Sequence, residues 1–362
     1  MSILIFIIML VALIVGHEFG HLIVAKLSGM KVPEFGLGFP PKLWGKKIGE
    51  TEYTINALPF GGFVKIVGED DAGLDDPRAF ARRPKILQAA TLFAGPFSNL
   101  VLGLILATSA LMVGIPALVG GTENAEYIQN PHVRAVQVLA GSPAFTAGIK
   151  AGDEIVSISS NSIETKIEKP EDVLTAIKEA EGPLTVGVLR GGVQTEFTVT
   201  PIKGVDPENP ERLVIGIAPA LVGTLTLPIE KAFIAGVTDT FTETKGILIG
   251  LGTLIGQAFT LSADISTITG PVGIVSLVGD ASGFGLGSIL SLAALISMNL
   301  AIVNLLPFPA LDGGRLAFLF VETISRRKIP ARVADGLNIA GFGLLILLML
   351  VVTAHDIFKL VS

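Results

Sequence analysis

A chain of 362 residues that is half hydrophobic and only 16% charged, at a mean hydropathy of +0.68, is too apolar for a soluble protein of its length and reads as a membrane protein. Its net charge of −6 argues against nucleic acid as a partner. Cysteine is absent, which excludes disulfides and thiolate metal sites.

The first predicted element is a helix. Residues 2–16 carry no charge, and the apolar run resumes to Ala25; together they supply the ~20 residues needed to cross hydrocarbon. No basic leader and no small-residue cleavage site accompany the run, so it is expected to be a retained first span rather than a signal peptide. His17, Glu18 and His21 interrupt it, where ionisable groups are costly. H-E-x-x-H on a helix sets two imidazoles one turn apart on one face, where both can reach a single zinc ion at roughly 2.0–2.1 Å. The intervening Glu18 is not a ligand. It would lie beside the metal and can take a proton from water there.

Between Lys26 and Lys85 the chain is dense in Lys and Arg. Within it, "ETEYTINAL", "PFGG" and "FVKIV" over 50–67 read as a β-hairpin with Tyr53, Ile55 and Phe63 among its strand formers. Its edge could accept an extended peptide strand. A second uncharged run, 86–122, gives the second span, and Gly95, Asn99 and Gly103 at four-residue spacing along it are read as close helix packing, with a hydrogen bond near the site as a further expectation for Asn99.

The next segment alternates short strands and turns. "GSPAFTAGIKAGDEIVSISSNSI" over 141–163 predicts a short helix ending at Gly148, a Gly-Asp turn and a strand. Pro170 opens a further helix, and strands flank Gly191 and Gly192. This resembles a PDZ core. PDZ folds take extended peptide ends by strand addition, although a cap that only excludes bulky substrates fits the sequence equally. Residues 246–263 are uncharged but rich in glycine, and are expected to form an interfacial or re-entrant helix rather than a span.

Charge-free runs at 281–311 and 336–354 give spans three and four. Arg315, Arg326, Arg327, Lys328 and Arg332 lie between them. By the positive-inside rule that stretch and residues 26–85 face the cytoplasm, while both termini and the segment between spans two and three lie outside. His17 is then about 12 Å along the helix from Ala25 and about 22 Å from Ser2, nearer the cytoplasmic side. The expected fold is a four-span α-helical protein of the cell (inner) membrane, with a β-hairpin between the first two spans and one inserted α/β PDZ domain. The expected divisions are 1–122 (two spans, zinc motif, hairpin), 123–204 (PDZ domain outside the cytoplasm), 205–280 (membrane-associated linker) and 281–362 (last two spans).

Catalytic zinc takes three protein ligands plus water. His132 and His355, the other two histidines, fall on the opposite side of the membrane. A carboxylate is therefore expected: Asp312, where Pro307 and Pro309 break the third span and Gly313 and Gly314 allow tight turning, or its rival Glu322.

With H-E-F-G-H at 17–21 and N-x-x-P-x-P-x-L-D-G at 304–313, the chain resembles the site-2 protease family of intramembrane zinc metalloproteases, in the bacterial branch of the regulator of sigma-E protease type. "FAGPFSN" at 93–99, "ALPFGGFVKI" at 57–66 and "GPVGI" at 270–274 resemble further family motifs in the same order. The resemblance implies that His17, His21 and Asp312 hold Zn2+, that Glu18 is the catalytic base, and that Asn299 and Asn304 bind substrate. It implies that Gly61 and Gly62 belong to a membrane re-entrant hairpin that also meets substrate. It implies transmembrane protein substrates, such as membrane-anchored regulators of the anti-sigma type or remnant signal peptides, with membrane lipid around the spans and a peptide as the PDZ ligand. Some relatives carry two PDZ modules, and only one fits here. Two other readings compete: a non-enzymatic scaffold presenting a PDZ module beside a structural metal, and a hydrolase acting on a lipid or small molecule. Structural zinc sites close all four positions with protein ligands, which disfavours the scaffold.

Overall fold

The computed structural model describes residues 1–69, 73–120, 124–160, 163–203, 212–260 and 269–361. The chain divides into two compact units: Met1–Thr108 with Phe233–Gly279 and Leu290–Ser362, and Ser109–Ala232 with Asp280–Ile289. Among the described residues four helices are long and apolar enough to cross a membrane: Ser2–Leu27 (α1), Lys85–Val113 (α2), Leu286–Asn304 and Arg332–Phe358. They coincide with the four expected spans.

Close approach of α1 and α2 builds the first unit. A Cβ on Gly20 would lie 2.3 Å from the Ala94 carbonyl oxygen and 2.6 Å from Ser98 Cβ, so only glycine fits this crossing. Ser98 Oγ donates to the Gly16 carbonyl at 2.7 Å beside it. Below the crossing, Leu22, Ala25, Met30, Val32, Ile66, Phe80, Leu92 and Leu319 form a buried cluster.

Between these helices lie Glu34–Ile48 (β1) and Thr51–Lys65 (β2). Phe35 pairs with both Tyr53 and Val64, and Lys47 pairs with Glu52. The order is therefore 44–48, 51–55, 34–37, 62–65, in which 34–37 runs parallel to 52–55 and antiparallel to 62–65, and 44–48 runs antiparallel to 51–55. This corrects the expected hairpin: residues 51–55 and 62–65 do not pair with each other, because 34–37 runs between them. Pro40 and Pro41 lack ladder donors and hid β1 from a reading based on strand formers. Gly62–Lys65 is an edge, and Phe39, Leu43, Trp44 and Leu58 stay exposed at the far end of the sheet.

In the second unit the sheet contains Ile115–Leu118 (β3), Ile128–Val138 (β4), Glu154–Ser160 (β5), Ile163–Lys166 (β6), Leu184–Arg190 (β7), Val193–Val199 (β8) and Ile217–Leu225 (β9), in the order β3-β9-β4-β5-β7-β8 with β6 on β5. All pairings are antiparallel. Helices Pro143–Ala147 (α3) and Pro170–Lys178 (α4) accompany it. Ser142 caps α3 through the Phe145 N–H, and Gly148 ends it at φ +97°. Val133, Ile155, Ile158, Val173, Leu184, Val186 and Val188 make its core. Asp153, almost fully buried, accepts from Arg190 Nε and a terminal guanidinium nitrogen, each at 2.6 Å, and raises the Arg190 pKa. The sheet takes in β9, past the expected boundary at residue 204, because the inner flank of β4 is completed by that strand. A groove of about 910 Å³ runs beside α4, lined by Leu174, Lys178, Arg212, Ile215, Gly216 and Ile217.

The chain continues through Ile229–Phe259 (α5), Pro271–Gly283 (α6), α7 (Leu286–Asn304), Asp312–Ser325 (α8) and Ala331–Val361 (α9). The glycine-rich stretch expected as a separate helix is, over 246–259, the second half of α5; residues 261–263 lie outside the described residues. In "GPVGI", Gly270 and Gly273 leave room for the Asp356 carboxylate of α9, which accepts from both their N–H groups.

Candidate metal centre

α7 stops at Asn304, and two prolines carry the chain round to Asp312, the first residue of α8. A Cβ on Gly313 or on Gly314 would lie 2.2 Å from a loop carbonyl, that of Leu306 or Phe308, so the turn closes only around glycines. This brings Asp312 against α1. Asp312 Oδ2 lies 3.0 Å from His17 Nε2 and 3.3 Å from His21 Nε2, and the two Nε2 atoms are 3.2 Å apart. An ion bound tetrahedrally at 2.0–2.1 Å requires ligand atoms about 3.3 Å from one another. The three donors already form that triangle, and two imidazoles with one carboxylate suit zinc. Among the described residues this is the one group of metal-ligand type found.

The opposite ring edges are also held. His21 Nδ1 lies 2.8 Å from the Thr91 carbonyl. A carbonyl can only accept, so Nδ1 carries the proton and Nε2 keeps its lone pair for a metal. Pro96, inside α2, has no N–H to give back to the helix. His17 Nδ1 lies 3.2 Å from the amide of Asn99, a fully buried residue whose own carbonyl accepts from Ser297 Oγ at 2.8 Å. An amide carries both donor and acceptor, so Asn99 can serve either tautomer of the ring. Gly95 lies directly under the pair. A Cβ there would be 2.2 Å from His21 Nε2 and 2.8 Å from His17 Cε1. Asn99 thus makes the hydrogen bond near the site that the sequence allowed beside helix packing, and the close packing expected of Gly95 is packing against the two imidazoles.

Glu18, Gly62, Glu69 and Arg315 line a cavity of about 360 Å³ with the two histidines and Asp312. Gly62 brings the edge of β2 against the acid, where a Cβ would be 3.0 Å from Glu18 Cγ. Glu69 and Arg315 form an ion pair there. Gly61, at φ +103°, turns under the Phe39 ring instead. The rival Glu322 is occupied elsewhere: it takes Lys85 Nζ at 2.8 Å and the Ile329 N–H at 3.2 Å. Neither Asn299 nor Asn304 lines the cavity. Both lie on α7, and the Asn299 amide donates to the Leu295 carbonyl of its own helix at 2.9 Å. His132 pairs with Glu154 at 3.1 Å in the strand-rich unit, and His355 lies on α9.

A family model described as Peptidase family M50 matches residues 5–348. A relative from Clostridium perfringens, named among the zinc metalloproteases, is 38% identical over 351 residues, covering 96% of this chain and 95% of its own. The zinc metalloprotease RasP of Geobacillus kaustophilus is 30% identical over 442 positions, covering 99% and 98%. The regulator of sigma-W protease RasP of Bacillus subtilis is 30% identical over 445 positions, covering 99% of each chain. Both alignments exceed the 362 residues of this chain, so those relatives carry inserted residues. On this match and this donor set the chain belongs to peptidase family M50, the site-2 protease family, and is a zinc metalloprotease with helices apolar enough to cross a membrane.

Proposed function

We propose that this protease is an endopeptidase acting within the membrane, on peptide bonds in transmembrane segments. One observation carries the reading: His17, Glu18 and His21 lie on a helix long and apolar enough to cross a bilayer, and Asp312 of α8 closes a ligand triangle with the two histidines there. His17, His21 and Asp312 would hold zinc, which would supply Lewis-acid polarisation of the scissile carbonyl and a water acidic enough to lose its proton at neutral pH. Glu18 takes the proton of the attacking water and returns it to the departing amine. Asp312 lies in the first turn of α8, where the helix dipole favours its negative charge. Thr91 and Asn99 keep the imidazoles oriented.

A transmembrane helix hides its amides in internal hydrogen bonds, so the cut segment must unwind and find new partners in a dry place. The edge of β2 over Gly62–Lys65, on the cavity wall, can supply them by strand addition. The exposed apolar side chains of Phe39, Leu43, Trp44 and Leu58 fit a sheet tip that re-enters the membrane. Asn299 and Asn304 would reach a substrate entering along α7. The strand-rich unit is read as a PDZ domain, with the groove beside α4 as the place for an extended peptide end. Basic residues over 26–85 and 315–332 favour a cytoplasmic position for the site, with termini and PDZ domain outside in a multi-pass cell-membrane arrangement. The Bacillus subtilis relative is named a regulator of sigma-W protease, which supports membrane-anchored regulators of the anti-sigma type as the substrate class proposed; remnant signal peptides have the same chemistry.

The test is Glu18→Gln in detergent with a model transmembrane substrate. Zinc content should be retained while turnover falls by about 10²–10⁴. Turnover equal to that of the unaltered protein would refute the assigned base.

A further inference from the structure

We infer that Asn338, on the last apolar helix, is a positioning residue for the loop that presents Asp312. The inference rests on the reading of Asp312 as a zinc ligand. Ala310, two residues before that acid, stands at φ +73°, a left-handed conformation that costs an alanine but not a glycine. Its N–H is captured by Asn338 Oδ1 at 3.1 Å. One turn further along α9, Gly341 receives the same loop: a Cβ there would be 2.7 Å from the Pro309 carbonyl oxygen and 2.8 Å from Pro309 Cβ.

Residues three apart share a helix face, so Asn338 and Gly341 form one cradle, an acceptor beside a gap. Asn338 stands in the uncharged run 336–354, where a polar side chain is expensive unless it has a partner. Its partner is the strained turn. Without the acceptor, the Ala310 N–H loses its hydrogen bond and the left-handed turn loses its support. Relaxation at residue 310, two residues before the acid, would swing Asp312 away from the two imidazoles.

Zinc affinity of the full chain in detergent, by competition with a chromophoric chelator, tests this. Asn338→Leu should weaken zinc binding by about tenfold or more, the usual cost of losing a support to a ligand. Asn338→Asp keeps the acceptor and should hold zinc within about threefold of the unaltered protein. Adding Ala310→Gly to Asn338→Leu should restore most of the affinity, because glycine keeps the turn unaided. That rescue separates positioning from a general packing defect. Unchanged affinity in Asn338→Leu, or a double variant as weak as the single one, would overturn the inference. An Asp312→Asn control that binds zinc normally would instead overturn the reading beneath it.

Discussion

Gly95→Ala asks whether the imidazoles need the space under them. The new methyl would lie 2.2 Å from His21 Nε2, the atom that faces the metal position. Ordinary contact begins near 3.5 Å, so the ring or the helix must yield by roughly 1.3 Å. His21 is buried and tethered to the Thr91 carbonyl, so it cannot turn aside without losing that bond. Zinc distances tolerate only about 0.2 Å. The displacement is several times larger, so one ligand is lost, and zinc affinity should fall by at least about 100-fold. The overpacking itself costs about 1–3 kcal/mol, less than the stability of a typical domain. The protein should therefore stay folded and lose its metal. Zinc content after dialysis against a chelator, with thermal unfolding in detergent, measures both. Gly103→Ala is the control, since its neighbour Met298 Cγ at 3.0 Å belongs to a flexible side chain. A Gly95→Ala protein holding zinc as tightly as the unaltered one would refute the reasoning.

Asp312→Ala should abolish zinc binding, whereas Glu322→Gln should leave it unchanged and disturb only the Lys85 contact and the Ile329 N–H; zinc titration of both decides between the two acids. Asp153→Ala removes the buried acceptor of Arg190 and of the Lys150 N–H, and should destabilise the strand-rich unit by about 1–3 kcal/mol, read from its thermal transition in the full chain, with zinc affinity unaltered.

The parts of the site that depend on spacing were legible in the sequence. His17 and His21 lie one helical turn apart in any helix, and ionisable groups in an apolar run demand a reason. Pro307 and Pro309 announced the break before Asp312, and charge-free runs announced all four helices. Chemistry alone left Glu322 as a rival to Asp312, because that choice depends on which acid other partners already hold; the resemblance of the 304–313 motif pointed to Asp312. Close packing at Gly95 was legible but its partner was not: a glycine's role lies in what fills the place of its absent Cβ, and nothing local to α2 says that two imidazoles do. The pairing of β1 was hidden by Pro40 and Pro41, and β9 was hidden by its distance along the chain from its partner β4. Asn338 looked like an isolated polar residue until the Ala310 backbone appeared opposite it.

The central claim is that one ion is shared by side chains from the two ends of the chain. Anomalous diffraction at the zinc edge from crystals of the loaded protein tests it most directly. A single peak about 2.0–2.1 Å from His17 Nε2, His21 Nε2 and Asp312 Oδ2 is the predicted result. A peak elsewhere, such as at the His132 and Glu154 pair, with none between α1 and α8, would contradict the account.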